Sequence, residues 1–107
     1  MKQLKPIDAL TKKRRLQEFE AQCLKNGIAV TFQRRVIFQA ILDMDSHPTA
    51  DQVHAEPMVR KARVSRATVF RTLESFERMG LILKACNPHG VVRYDGRIEQ
   101  HHHLVDH

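Results

Sequence analysis

The chain has 107 residues, with 18 Lys and Arg against 12 Asp and Glu, for a formal net charge of +6. That length fits about one domain of ordinary size, which excludes an elaborate two-domain enzyme, and no apolar stretch is long enough for a membrane span. The cationic excess suits a polyanionic partner, and 42% apolar content with five Phe, one Tyr and no Trp predicts a small, mainly aliphatic core.

The excess charge is N-terminal: residues 1–35 carry nine Lys or Arg and three acids, whereas 36–80 and 81–107 each balance. Met1 to Leu10 lacks the apolar stretch of a secretory signal, and Cys23 and Cys86 form no CxxC spacing, so a reducing, cytoplasmic setting is expected. Lys12, Lys13, Arg14 and Arg15 make the densest basic run. As an arm over residues 1–15 they would lie along a phosphate backbone or reach into a minor groove; a solvated helix start is the other reading.

Leu16, Phe19, Cys23 and Leu24 follow helical spacing and Gly27 stops that first helix. Thr31 caps a second helix, in which Ile37, Ile41 and Met44 form a stripe flanked by Phe38 and Leu42, ending near Asp45. Ser46-His47-Pro48-Thr49 breaks the chain and caps a third helix, which Pro57 must kink, end or restart. Ser65 caps a fourth, with a Val69, Leu73, Phe76 stripe running into Gly80. Two strands, 81–86 and 91–94, joined by Asn87-Pro88-His89-Gly90, complete the reading. Three to four helices followed by a two-stranded hairpin predict a mainly α winged helix-turn-helix over residues 16–96, with 97–107 as a separate hinge segment.

A helix-turn-helix presents its second helix to a major groove. Thr68, Arg71, Ser75 and Arg78 lie away from the apolar stripe and give the fourth helix a hydroxylated, cationic face. Phe70 falls about 60° from Leu73 on the helical wheel, so it is either core or an apolar contact for thymine methyl groups. Arg34, in line with Ile37 and Phe38, is either a structural ion pair or a phosphate contact.

Four of the seven His fall at 101, 102, 103 and 107. In an extended segment His101 and His103 share one side and can share one divalent ion, with Asp95 and His47 as further donors; this N/O set suits Fe²⁺, Mn²⁺ or Zn²⁺. The run H-x-H-x-x-D-H also approaches a metallohydrolase motif, but its extra residue misplaces Asp106.

Asn26-Gly27, Val30-Thr31-Phe32-Gln33-Arg34, His47-Pro48-Thr49-Ala50, Ser65 through Leu73, Gly80-Leu81-Ile82, Tyr94-Asp95 and His101 through Leu104, in that order, resemble the ferric uptake regulator family of metal-dependent repressors over roughly residues 20–106. The resemblance implies a regulator that binds a palindromic double-stranded operator as a homodimer and is not an enzyme. It implies His47, Asp95, His101 and His103 as ligands of a regulatory divalent metal. It also implies Phe70 as the base-contacting residue of the recognition helix and Arg71 as a phosphate contact, and Ser65, Arg66 and Thr68 at the start of that helix are expected to join them in DNA binding. Phe70 stands where the family usually has Tyr, and Ala29 where a basic residue often precedes the Val-Thr pair. Asp106 stands where the family's CxxC begins, so no structural zinc held by cysteines is expected. The family's α/β dimerisation part has no counterpart in these residues, so either a fragment or a short form with weakened DNA binding is expected. A metal-independent winged-helix module with a vestigial His cluster is the alternative.

Overall fold

The computed structural model describes residues 9–44 and 47–96. Five helices precede one hairpin: α1 (Ala9–Lys25), α2 (Phe32–Asp43), α3 (Ala50–His54), α4 (Pro57–Lys61), α5 (Arg66–Arg78), β1 (Leu83–Cys86) and β2 (Val92–Asp95). The strands pair antiparallel with Leu83 opposite Asp95 and Cys86 opposite Val92. This is the winged helix-turn-helix expected from the sequence.

Local rules set most boundaries. Thr31 and Ser65 accept the backbone N–H of Arg34 and Thr68 respectively, and Thr49 forms a reciprocal capping box with Gln52. Gly27 and Gly80 take positive φ, and behind each the chain folds back through a paired motif. Ile28 N donates to Cys23 O at 2.8 Å, and Leu81 N to Phe76 O at 2.9 Å. Pro57 opens α4 at its first turn, where a missing N–H costs no hydrogen bond. The expected third helix is thus two short ones. Arg63, at φ 58°, turns the chain from α4 toward α5, and the His54 Nε2 to Val64 O contact at 3.1 Å pins that turn.

The core is built on three phenylalanines. The Phe19 and Phe38 rings stack at 4.9 Å, and both meet Phe76 edge-on at 5.6 Å, so α1, α2 and α5 converge on one cluster. Ile37, Ile41, Leu42, Val53, Val59 and Leu73 surround it. Leu81 and Ile82, expected as the start of the first strand, instead fill this core as the link out of α5, and pairing begins at Leu83.

Tyr94 anchors the wing. Its ring is buried, its backbone N–H donates to Pro48 O at 2.8 Å, and its hydroxyl donates to Glu74 at 2.6 Å. The Tyr94 hydroxyl and the Lys84 ammonium hold the Glu74 carboxyl below its usual range, while burial pushes the Tyr94 phenol up. Tyr94 therefore fixes the hairpin to α5 through its side chain and to the segment before α3 through its backbone.

Among the described residues α1 already runs from Ala9, so Lys12 to Arg15, expected within an arm ahead of the first helix, lie inside that helix. Arg15 needs the larger correction. The sequence groups it with the DNA-contacting run, but only 3% of it is exposed. Its guanidinium donates to Gly96 O at 2.5 Å, Leu81 O at 2.7 Å and Glu18 at 3.0 Å, and lies 5.6 Å from the Phe38 ring centroid. It is an internal brace between α1, the end of α5 and the exit from β2, and so is withheld from any external partner. Burial lowers its pKa.

Candidate nucleic-acid interface and metal pair

α5 turns Val69, Thr72, Leu73 and Phe76 inward, which leaves Arg66, Phe70 and Arg71 facing solvent. Phe70 is 50% exposed, so of its two sequence readings the core one is excluded. Thr72, which no hydrophobic pattern singles out, is buried. Ser65 is occupied as the cap: its Oγ accepts from Thr68 N at 3.1 Å and donates to Thr68 Oγ1 at 2.9 Å.

Arg34 reaches the same surface from α2. Its Nη1 donates to Ala29 O at 2.8 Å, and among the described residues no carboxylate pairs with it. Together with Thr68, Arg71, Thr72 and Ser75 it lines a depression of about 230 Å³, so two cations from different helices flank one side of α5. On the other side, Thr49, Asp51, Arg66, Phe70, Val91 and Val92 line a cleft of about 540 Å³ between α3, α5 and the wing. Toward the wing the recognition face therefore sets the apolar Phe70, Val91 and Val92 beside the Asp51–Arg66 pair, and toward α2 it is cationic.

Arg66 is not free. Its Nε and Nη2 engage both oxygens of Asp51 on α3, the second contact at 3.2 Å, and this fork holds the Asp51 carboxyl below its usual range. Sequence reasoning did not identify Asp51, because no helical or strand period links positions 15 apart on different elements. Of the basic run, Lys12 pairs with Asp43 at 2.6 Å, while Lys13 and Arg14 face solvent beside Leu10 and Gln17.

The last residue of β2 meets the segment before α3. His47 Nε2 lies 3.1 Å from Asp95 Oδ2, and Arg93 Nη1 donates to His47 O at 2.9 Å. Two of the four expected metal donors are thus brought together across 48 positions. His101 and His103 lie outside the described residues, as does the rest of the 97–107 segment, and among the described residues no cluster of three or more potential metal ligands forms.

A support-helix pair, a capped recognition helix with an exposed Phe-Arg face and a two-stranded wing define a winged helix-turn-helix domain, a DNA-binding architecture. The chain belongs to the ferric uptake regulator family, whose model matches residues 25–107. This is a family of transcriptional regulators and not of enzymes. The chain is 35% identical over 88 residues to the ferric uptake regulation protein of Rhizobium leguminosarum bv. viciae, covering 81% of this chain and 62% of that one. It is 28% identical to the peroxide-responsive repressor PerR of Staphylococcus epidermidis, covering 84% of this chain and 60% of that protein. Among solved structures, a manganese uptake regulator superposes with a TM-score of 0.65 at 32% identity, over 77% of this chain and 60% of that one. The Helicobacter pylori ferric uptake regulator shares the fold at a TM-score of 0.75 and 18% identity, over 92% of this chain and 64% of that one. The chain therefore spans about three fifths of the length of these relatives. No helix among the described residues is long and apolar enough to cross a membrane.

Proposed function

We propose that the chain is a metal-responsive DNA-binding repressor, working in the cytoplasm as part of a homodimer on a palindromic operator. The observation that carries this reading is the face of α5, where Phe70 stands exposed beside Arg71, with Arg34 on the adjoining surface. In a major groove Phe70 offers apolar contact to thymine methyl groups, and Arg71 and Arg34 neutralise backbone phosphates. Ser65 holds the start of α5 and leaves its own hydroxyl turned to Thr68. Lys13 and Arg14, exposed on α1, are further cations open to a polyanion.

The His47 and Asp95 pair fits the expected metal, because an imidazole and a carboxylate oxygen already 3.1 Å apart form half of an N/O donor set. His47, Asp95, His101 and His103 would hold a divalent ion (Fe²⁺, Mn²⁺ or Zn²⁺), which supplies coordinate bonds that prefer one arrangement of its donors. His47 belongs to the segment before α3 and Asp95 to the end of β2, and the Tyr94 N–H to Pro48 O bond joins those two segments beside the pair. His101 and His103 would join it from the segment that follows Gly96, coupling the direction of the chain's exit to the orientation of α5. Asp106 offers no thiolate, so a structural zinc bound by four cysteines is not part of the proposal.

Two substitutions test the interface. Arg71→Ala is expected to weaken binding to all duplexes alike and to reduce the slope of log K against log salt by about 0.9. Phe70→Ala is expected to lower discrimination at one base step by about 1 kcal/mol with the salt slope unchanged. Fluorescence anisotropy at several salt concentrations reads both. Unaltered affinity and slope in both variants would contradict the placing of α5 at the DNA.

A further inference from the structure

Asp51 lies on the surface that the proposed function turns toward a polyanion. It is 63% exposed and Arg66 73% exposed, so neither burial nor packing explains the pairing. The fork engages Arg66 through two nitrogens at once, the geometry with which a guanidinium otherwise grips a phosphate. Both residues line the cleft between α5 and the wing together with Phe70 and Val92. Arg66 is the first residue of α5, at the end of a helix whose N-terminal dipole already favours anions.

We propose that Asp51 is a specificity-determining residue that occupies the Arg66 guanidinium and thereby withholds one cation from the phosphates of random DNA. This rests on the DNA-binding reading above. A phosphate approaching the start of α5 must displace a bidentate carboxylate and also meets the repulsion of that carboxylate. Sequence-independent attraction grows with each phosphate neutralised, whereas base-edge contacts do not. Masking one cation thus lowers the sequence-independent share of binding and leaves the apolar contact of Phe70 with base edges as a larger part of recognition. The pair also bridges α3 and α5, but on a surface this exposed an ion pair adds little to stability.

The test uses the full chain in saturating Mn²⁺ with a fluorescent duplex of random sequence. Asp51→Asn is expected to raise random-duplex affinity about threefold or more at low salt and to steepen the salt slope by about 0.9, one further phosphate contact. The double substitution Asp51→Asn with Arg66→Met is expected to return the slope to that of the parent, which separates an unmasked Arg66 from the mere loss of a negative charge. An Asp51→Asn slope equal to or shallower than the parent's would overturn the proposal, as would a steepening that survives in the double variant. A second measurement needs no substitution. The Arg66 Nε–H resonance of the parent is expected to keep its ion-paired position when random duplex is added; a large shift overturns the masking. A parent chain that binds no duplex at all contradicts the DNA reading itself and removes the basis of this one.

Discussion

Phe38→Ala is expected to lower the stability of the domain by about 4 kcal/mol. Phe38 is fully buried, stacked on Phe19 at 4.9 Å and edge-on to Phe76 at 5.6 Å, so truncation removes the ring that both neighbours share. The loss combines the transfer free energy of the ring with the cavity left among three helices that cannot close independently. A domain of this size has about 5–10 kcal/mol of total stability, so roughly half of it would go. Urea denaturation followed by circular dichroism measures the change, and a loss under about 1.5 kcal/mol would show that α1, α2 and α5 can collapse around the gap.

Arg15→Met is expected to cost about 3 kcal/mol, although it exchanges a charge for an apolar side chain of similar length in a buried place. The reason is what the guanidinium holds. Leu81 O and Gly96 O both accept from it in the interior, at 2.7 and 2.5 Å, and a thioether donates to neither. Relief of the buried charge's desolvation offsets part of the cost. Arg15→Lys, with a single ammonium, is expected to recover only part of the loss. Because the guanidinium also lies over the Phe38 ring at 5.6 Å, the two substitutions are expected to be non-additive by more than about 0.5 kcal/mol. An Arg15→Met variant as stable as the parent would show that the two carbonyls find other donors, and would remove Arg15 as the brace of the β2 exit.

The helix ends are legible in the sequence because they obey rules that act within a few residues. Thr31, Thr49 and Ser65 cap, Gly27 and Gly80 terminate, and each does so wherever it stands in a sequence. Pro57 is ambiguous because the same ring breaks a helix interior and suits a first turn, and only the neighbouring chain decides. Charge misplaces the start of α1. Lys12 to Arg15 read as an external cationic run, yet Arg15, Phe19 and Cys23 recur at the spacing of one helix face and all three are buried. That spacing is the available signal, but a sequence pattern weighs a cation against the interior, and no local rule announces two distant carbonyls waiting for it.

At the site, Phe70 and Arg34 each carry two readings that differ only in which way a helix is turned in the fold. Packing of α5 against the core exposes Phe70, and the position of Arg34 beside Thr68 and Thr72 follows from the α2–α5 arrangement. His47 and Asp95 can be paired in advance through donor chemistry, and the wing brings them to 3.1 Å. Asp51 cannot, since its pairing with Arg66 depends on the turn at Arg63 that swings α5 across α3.

The most direct test of the regulatory reading is equilibrium binding of this chain to a ferric-uptake-type palindromic duplex at fixed salt, titrated with Mn²⁺ or Fe²⁺ and then treated with chelator. Adding metal is expected to raise affinity about tenfold or more. Chelator should reverse that gain, and substituting both His101 and His103 with Ala should abolish it while the melting temperature of the domain is unchanged. Affinity that is the same with metal, with chelator and in the double variant would contradict the metal switch, and would leave a winged helix that binds DNA without one.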